Sequence, residues 1–204
     1  MRYFALKLVG ITVAVFIVQM LLPWFTDLFL LTQQAFYQPW RFVTPIFLHG
    51  DLTHIMFNML GVALFGSILE QAIGSRKFLY VYFGTGIIGN IVGVFFYDAS
   101  LGASGALMGV LGCLALLRPN LVVWVSYMPM PMWVAVFVWA GMDIFGAFDP
   151  AGRIANIVHL VGLGSGLIIG AYWKNLLGEY KAKRKKVEVF TPEEWDRWHN
   201  KYMK

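Results

Sequence analysis

Long apolar stretches follow one another along the chain with short polar interruptions, at Phe4 to Leu22, Leu52 to Ile73, Phe78 to Tyr97, Ala103 to Leu117, Met132 to Phe148 and Ile154 to Trp173. A helix needs about 20 apolar residues to cross ~30 Å of hydrocarbon, and only a helix or a closed barrel satisfies its backbone there. The pattern therefore predicts an all-α membrane protein of six transmembrane helices. The first stretch has the apolar core of a signal peptide, but no small-residue cleavage site precedes Pro23 and Trp24, so it is expected to be retained. Between the first and second stretches, Trp24 to Asp51 forms a long outer loop that mixes aromatics with Gln33, Gln34, Gln38, Pro39 and Arg41. Loops of that length usually carry function.

Composition agrees with this pattern and excludes a soluble globular domain, since 59% of the residues are hydrophobic and 13% charged. The expected organisation is one membrane domain over residues 1–176 and a basic tail over 177–204. Cys113 has no second cysteine to pair with and lies in an apolar stretch, so it reads as packing. The net charge of +5 follows from topology. With six spans both termini share a side, and Arg2, Lys7, Arg76, Lys77, Arg118, Lys174 and every later Lys or Arg fall with them, leaving Arg41 and Arg153 opposite. That bias predicts cytoplasmic termini. The run Lys181, Lys183, Arg184, Lys185 and Lys186 suits anionic lipid headgroups, and no stacking platform accompanies it, so nucleic acid is not an expected partner. Thr191-Pro192-Glu193-Glu194 then predicts a short tail helix with Trp195, Trp198 and Tyr202 on one face.

Polar residues inside apolar spans need a reason. His54 and Asn58 are four apart and share a face of the second predicted helix near its outer end. Ser104 begins the fourth from the same side, and His159 lies roughly 10 Å deep in the sixth. Gly162, Gly166 and Gly170 follow His159 on one stripe, while Gly105, Gly109 and Gly112 follow Ser104 on another. Two such seams permit close helix packing, and if they meet, Ser104 and His159 become neighbours. A neutral histidine beside a serine is a general base for a hydroxyl nucleophile. His54, Asn58 and the Ser104 amide are then candidate donors to the oxyanion that forms.

The same residues carry a resemblance. Trp40-Arg41, the string from His49 to Asn58, Gly102-Ala103-Ser104-Gly105, and Asn156, His159, Gly162 and Gly166 fall in order on the expected helices. In this respect the sequence resembles the rhomboid intramembrane serine proteases in their basic six-helix form. The resemblance implies Ser104 as nucleophile, His159 as general base, His54, Asn58 and the Ser104 amide as the oxyanion hole, and His49 as a supporting residue. It implies transmembrane protein substrates cut near their outer ends, with no metal and no cofactor. Met108 stands where many relatives carry an aromatic on the histidine, and Ile157-Val158 stand where smaller residues are common. Because no acid is evident to orient His159, a dyad positioned by packing is expected, and Asp143 is expected to pair with a neighbouring helix or backbone outside the site.

Taken singly, Ser104 reads as structural, Asn58 as interhelical glue and His49 as a hydrogen-bonded loop residue. Other catalytic classes fit poorly: a zinc protease needs His-Glu-x-x-His, which is absent, and Asp98 has no opposed aspartate motif. A non-cutting rhomboid-like binder would not require both Ser104 and His159, and a transporter lacks an evident repeat. The minimal build places the expected protein in a bacterial plasma membrane, with its site open to the outer side.

Overall fold

The computed structural model describes residues 3–125, 127–148, 155–187 and 192–203. Arg2, Arg153 and Thr191 lie outside them, as do the side chains of the Lys181 to Lys186 run and of Trp198 and Tyr202. Among the described residues the helices are α1 (Phe4–Leu21), α2 (Phe25–Phe29), α3 (Leu52–Gly61), α4 (Ser67–Ile73), α5 (Ser75–Gly93), α6 (Ser104–Leu117), α7 (Met132–Gly146), α8 (Asn156–Val187) and α9 (Pro192–Tyr202). A π-helical turn at Val62–Gly66 joins α3 to α4 into one helical run. The run and α1 and the first part of α8 (Asn156–Asn175) are long and apolar enough to cross a membrane, while α6 and α7 are apolar but shorter.

Local chemistry fixes the ends of these helices. Asp51 Oδ1 accepts from the His54 amide at 2.8 Å, capping α3. Glu70 of α4 accepts the orphan amides of Phe4 and Ala5, each at 3.0 Å, and so holds the start of α1 against the bundle. Ten of the fourteen residues of α6 are buried, which makes this short helix the axis of the fold. Its length of about 21 Å is well short of the hydrocarbon thickness.

The outer segment between α1 and α3 is built from α2 and short 3-10 turns at Gln33–Phe36, Pro39–Phe42 and Thr44–Phe47. Arg41 is buried there, and its guanidinium donates to the Asp27 and Leu30 carbonyls at 2.9 and 2.8 Å. Leu31 and Ser100 exchange backbone hydrogen bonds, tying this segment to the stretch before α6. A two-stranded antiparallel hairpin, β1 (Val122–Val125) with β2 (Met128–Pro131), joins α6 to α7. The chain divides into two compact units, Met1–Ala171 and Tyr172–Lys204. The second consists of the remainder of α8 and α9.

Candidate active site

The glycine seams of α6 and α8 meet. A Cβ at Gly162 would collide with the Gly105 carbonyl oxygen, and one at Gly166 with the Gly109 carbonyl oxygen, so no other residue permits this backbone approach. Val158 sets the rotation of α8 about that seam. Its methyls occupy a notch where added Cβ atoms at Gly89, Gly93 and Gly105 would lie 3.0, 2.5 and 2.7 Å away. The larger residue before the histidine is therefore a key in a glycine lock, not an obstacle to placing His159.

That packing brings His159 Nε2 to 2.7 Å from Ser104 Oγ. Its other ring nitrogen, Nδ1, is 2.9 Å from Asp143 Oδ1 on α7. Asp143 thus pairs with a neighbouring helix, as expected, and the partner it finds there is His159, for which the sequence showed no acid neighbour. The physical reason is antiparallel helix packing. Asp143 lies three residues before the end of α7 and His159 three after the start of α8, so the two side chains reach the same depth.

The turn before Ser104 is clamped. Gly102 has φ +129°, and a Cβ there would come within 2.9 Å of the His54 ring, so glycine is required on both counts. The Gly102 amide donates to the Pro45 carbonyl at 2.9 Å, and the Ala103 amide donates to His49 Nε2 at 3.4 Å. His49 is buried, its amide and carbonyl are both bonded to the Gln19 side chain, and its ring sits edge-on against His54 at 4.9 Å between centroids. Burial, reinforced by the nearby His54, lowers its pKa from 6.5 to about 4, so the ring is a neutral acceptor at neutral pH.

His54 Nδ1 accepts a long bond of 3.5 Å from the Gly50 amide, and its Nε2 and Ser104 Oγ both lie around Gly102, 2.9 and 3.5 Å from where a Cβ there would be. Asn58 Nδ2 donates to the His54 carbonyl at 2.9 Å and retains a second N–H. Both side chains line one cavity of about 1150 Å³ together with Ser104, His159, Tyr97 and Ser100. Tyr97 was not singled out by sequence; its hydroxyl accepts from the Ile157 amide at 3.0 Å and caps the first turn of α8. An aromatic at a helix end carries no signal of that role.

A second, apolar cavity of about 1100 Å³ opens between α3, α4 and α7 and reaches His159 and Asp143 from the other side. Phe57, Leu64, Met108, Trp139 and Met142 are among its walls. Met108 is buried near His159, but the position of the ring is set by hydrogen bonds at both nitrogens.

Residues 37–175 match the Rhomboid domain. The chain is similar to YdcA of Bacillus subtilis, 46% identical over 77 residues that are 36% of this chain and 38% of that protein. It is 29% identical to the mitochondrial Rhomboid protein 1 of Saccharomyces cerevisiae over 190 residues, 87% of this chain and 55% of the relative. Rhomboid-type serine protease 2 of Emericella nidulans is 33% identical over 143 residues, 65% of this chain and 26% of its own length. The chain thus spans less than two thirds of each of these relatives. With the domain match covering most of the sequence and apolar helices of membrane-crossing length around the site, this chain belongs to the rhomboid family of integral membrane proteins.

Proposed function

We propose that this protein is an intramembrane serine endopeptidase that hydrolyses peptide bonds in or near transmembrane segments of other membrane proteins. The observation that carries the reading is the 2.7 Å contact between Ser104 Oγ and His159 Nε2 at the wall of a polar cavity shared with His54 and Asn58.

In the first step Ser104 Oγ bonds to the substrate carbonyl carbon while its proton passes to His159 Nε2. The resulting oxyanion is held by His54 Nε2–H, the free N–H of Asn58 and the Ser104 amide, an orphan donor in the first turn of α6. Collapse breaks the C–N bond, the proton on His159 leaves with the new amine, and Ser104 carries the acyl group. Water entering through the polar cavity, deprotonated by His159, attacks that ester and frees both the acid and Ser104. His49 holds the turn that presents Ser104. The apolar cavity is the approach for a substrate segment arriving from lipid, since its walls match an unfolding apolar helix. Every proton and electron pair is accounted for by these groups, with no metal and no diffusible cofactor.

The six spans of this reading are α1, the α3 to α4 run, α5, α6, α7 and α8, forming a membrane domain over 1–176 with 177–204 as a tail against lipid headgroups. The Lys and Arg bias supports cytoplasmic termini, which opens the site to the outer side of a bacterial plasma membrane. A fluorophosphonate probe, which reacts only with an activated serine, tests the reading: labelling of the unmodified protein that disappears in Ser104→Ala and in His159→Ala is expected. Absence of labelling in the folded, unmodified protein counts against it.

A further inference from the structure

We infer that Asp143 completes a Ser104–His159–Asp143 triad as the positioning residue that fixes the tautomer and orientation of His159. The inference rests on the Ser104 and His159 roles proposed above and extends them to a third group.

A carboxylate within an apolar helix is retained only with a partner. Asp143 is 7% exposed, and no Lys or Arg is among the residues lining the cavity that it faces. Its partner is His159 Nδ1 at 2.9 Å. With the carboxylate accepting, this contact places the histidine proton on Nδ1 and leaves the Nε2 lone pair directed at Ser104 Oγ 2.7 Å away. The opposite tautomer would place N–H against the serine hydroxyl and could not take its proton. Asp143 therefore selects the one neutral form of His159 that is a base toward Ser104. When Ser104 Oγ bonds to the substrate carbonyl and its proton arrives at Nε2, the imidazolium faces a carboxylate already in place, and the proton stays on histidine.

The other acid near the site cannot substitute. Asp51 lines the polar cavity, but its Oδ1 accepts from the His54 amide as the cap of α3. Asp143 reaches Nδ1 from α7, on the side of the apolar cavity. Val158, seated in its glycine notch, holds α8 at the rotation where the two side chains meet.

The test is cleavage of a single-span membrane substrate by the full chain in liposomes, with kcat and KM measured separately for Asp143→Asn, Asp143→Glu, Ser104→Ala and the Ser104→Ala/Asp143→Asn double variant. The isosteric Asp143→Asn is expected to lower kcat by about 10²- to 10⁴-fold with KM changed by less than about threefold, because the amide no longer enforces one tautomer. Asp143→Glu is expected to recover part of the loss, and the double variant to be no worse than Ser104→Ala alone, as for groups acting as one unit. Undiminished kcat in Asp143→Asn, with Ser104→Ala inactive, overturns the role of Asp143 and leaves the serine mechanism standing. Cleavage surviving Ser104→Ala instead sinks the underlying reading. Nitrogen NMR of histidine-labelled, unmodified protein decides the matter even where a variant fails to fold: His159 protonated on Nδ1 is the expected result, and protonation on Nε2 alone overturns the inference.

Discussion

Gly162 of α8 lies directly against the carbonyl oxygen of Gly105 in α6, leaving no room for even a methyl group. Gly105 adjoins Ser104, and Gly162 is one helical turn beyond His159, so the approach of these two glycines sets the spacing of the reacting pair. Gly162→Ala is expected to destabilise the protein by about 1–3 kcal/mol through overpacking and to lose most cleavage activity as the helices separate. Gly164→Ala, where nothing lies within 4 Å of the added carbon, is expected to stay within about 1 kcal/mol of the parent. Thermal unfolding in detergent and cleavage of a single-span substrate check both.

His49 gives the fold an acid-sensitive point. Burial and the neighbouring His54 lower its pKa from 6.5 to about 4, while Asp51 opposes that shift. The unfolded chain therefore binds this proton at higher pH than the folded one. The stabilisation is complete above about pH 6.5 and is lost as pH falls toward 4, by on the order of 3 kcal/mol in all. Unfolding measured across that window is expected to show the decline, and His49→Gln, which keeps an acceptor for the Ala103 amide without titrating, is expected to flatten it.

Arg41 holds the outer segment by donating to the Asp27 and Leu30 carbonyls and to the Gln38 side chain. Arg41→Ala leaves the Asp27 and Leu30 carbonyls unmatched and is expected to cost about 2–4 kcal/mol, given one charge-assisted bond lost to each. Arg41→Lys is expected to recover less than half of this, because a single ammonium lacks the planar fork that spans several acceptors. Limited proteolysis of residues 24–51 in sealed vesicles reports the loosening directly.

Met108 trades places with Asp143 in what each variant is expected to do. With His159 fixed by hydrogen bonds at both nitrogens, Met108→Ala is expected to lower stability by about 1–3 kcal/mol as a cavity-forming change while turnover falls by only a few fold. Paired measurements of unfolding and kcat distinguish this from the packing role that the sequence alone suggests.

The positions of the apolar stretches, the two glycine seams and the convergence of Ser104 with His159 were all legible in the sequence, because helical periodicity and small-residue stripes report packing directly. Asp143 was not, since its partner lies sixteen residues away and only the antiparallel return of α8 along α7 brings it into register; counting equal steps from the two helix ends is the signal that finds it. Arg41 was visible as part of a motif, but besides the Gln38 side chain its bonds go to the backbone carbonyls of Asp27 and Leu30, which every residue possesses and no side-chain pattern marks. The β1–β2 hairpin has strands of four residues each, the second interrupted by Pro129 and Pro131, too short for alternation to register.

Cleavage of a generic single-span membrane substrate in liposomes, comparing the unmodified protein with Ser104→Ala and His159→Ala, tests the central claim most directly. Cleavage by the unmodified protein and its loss in both folded variants is the predicted result; cleavage that persists in Ser104→Ala would contradict the serine mechanism outright.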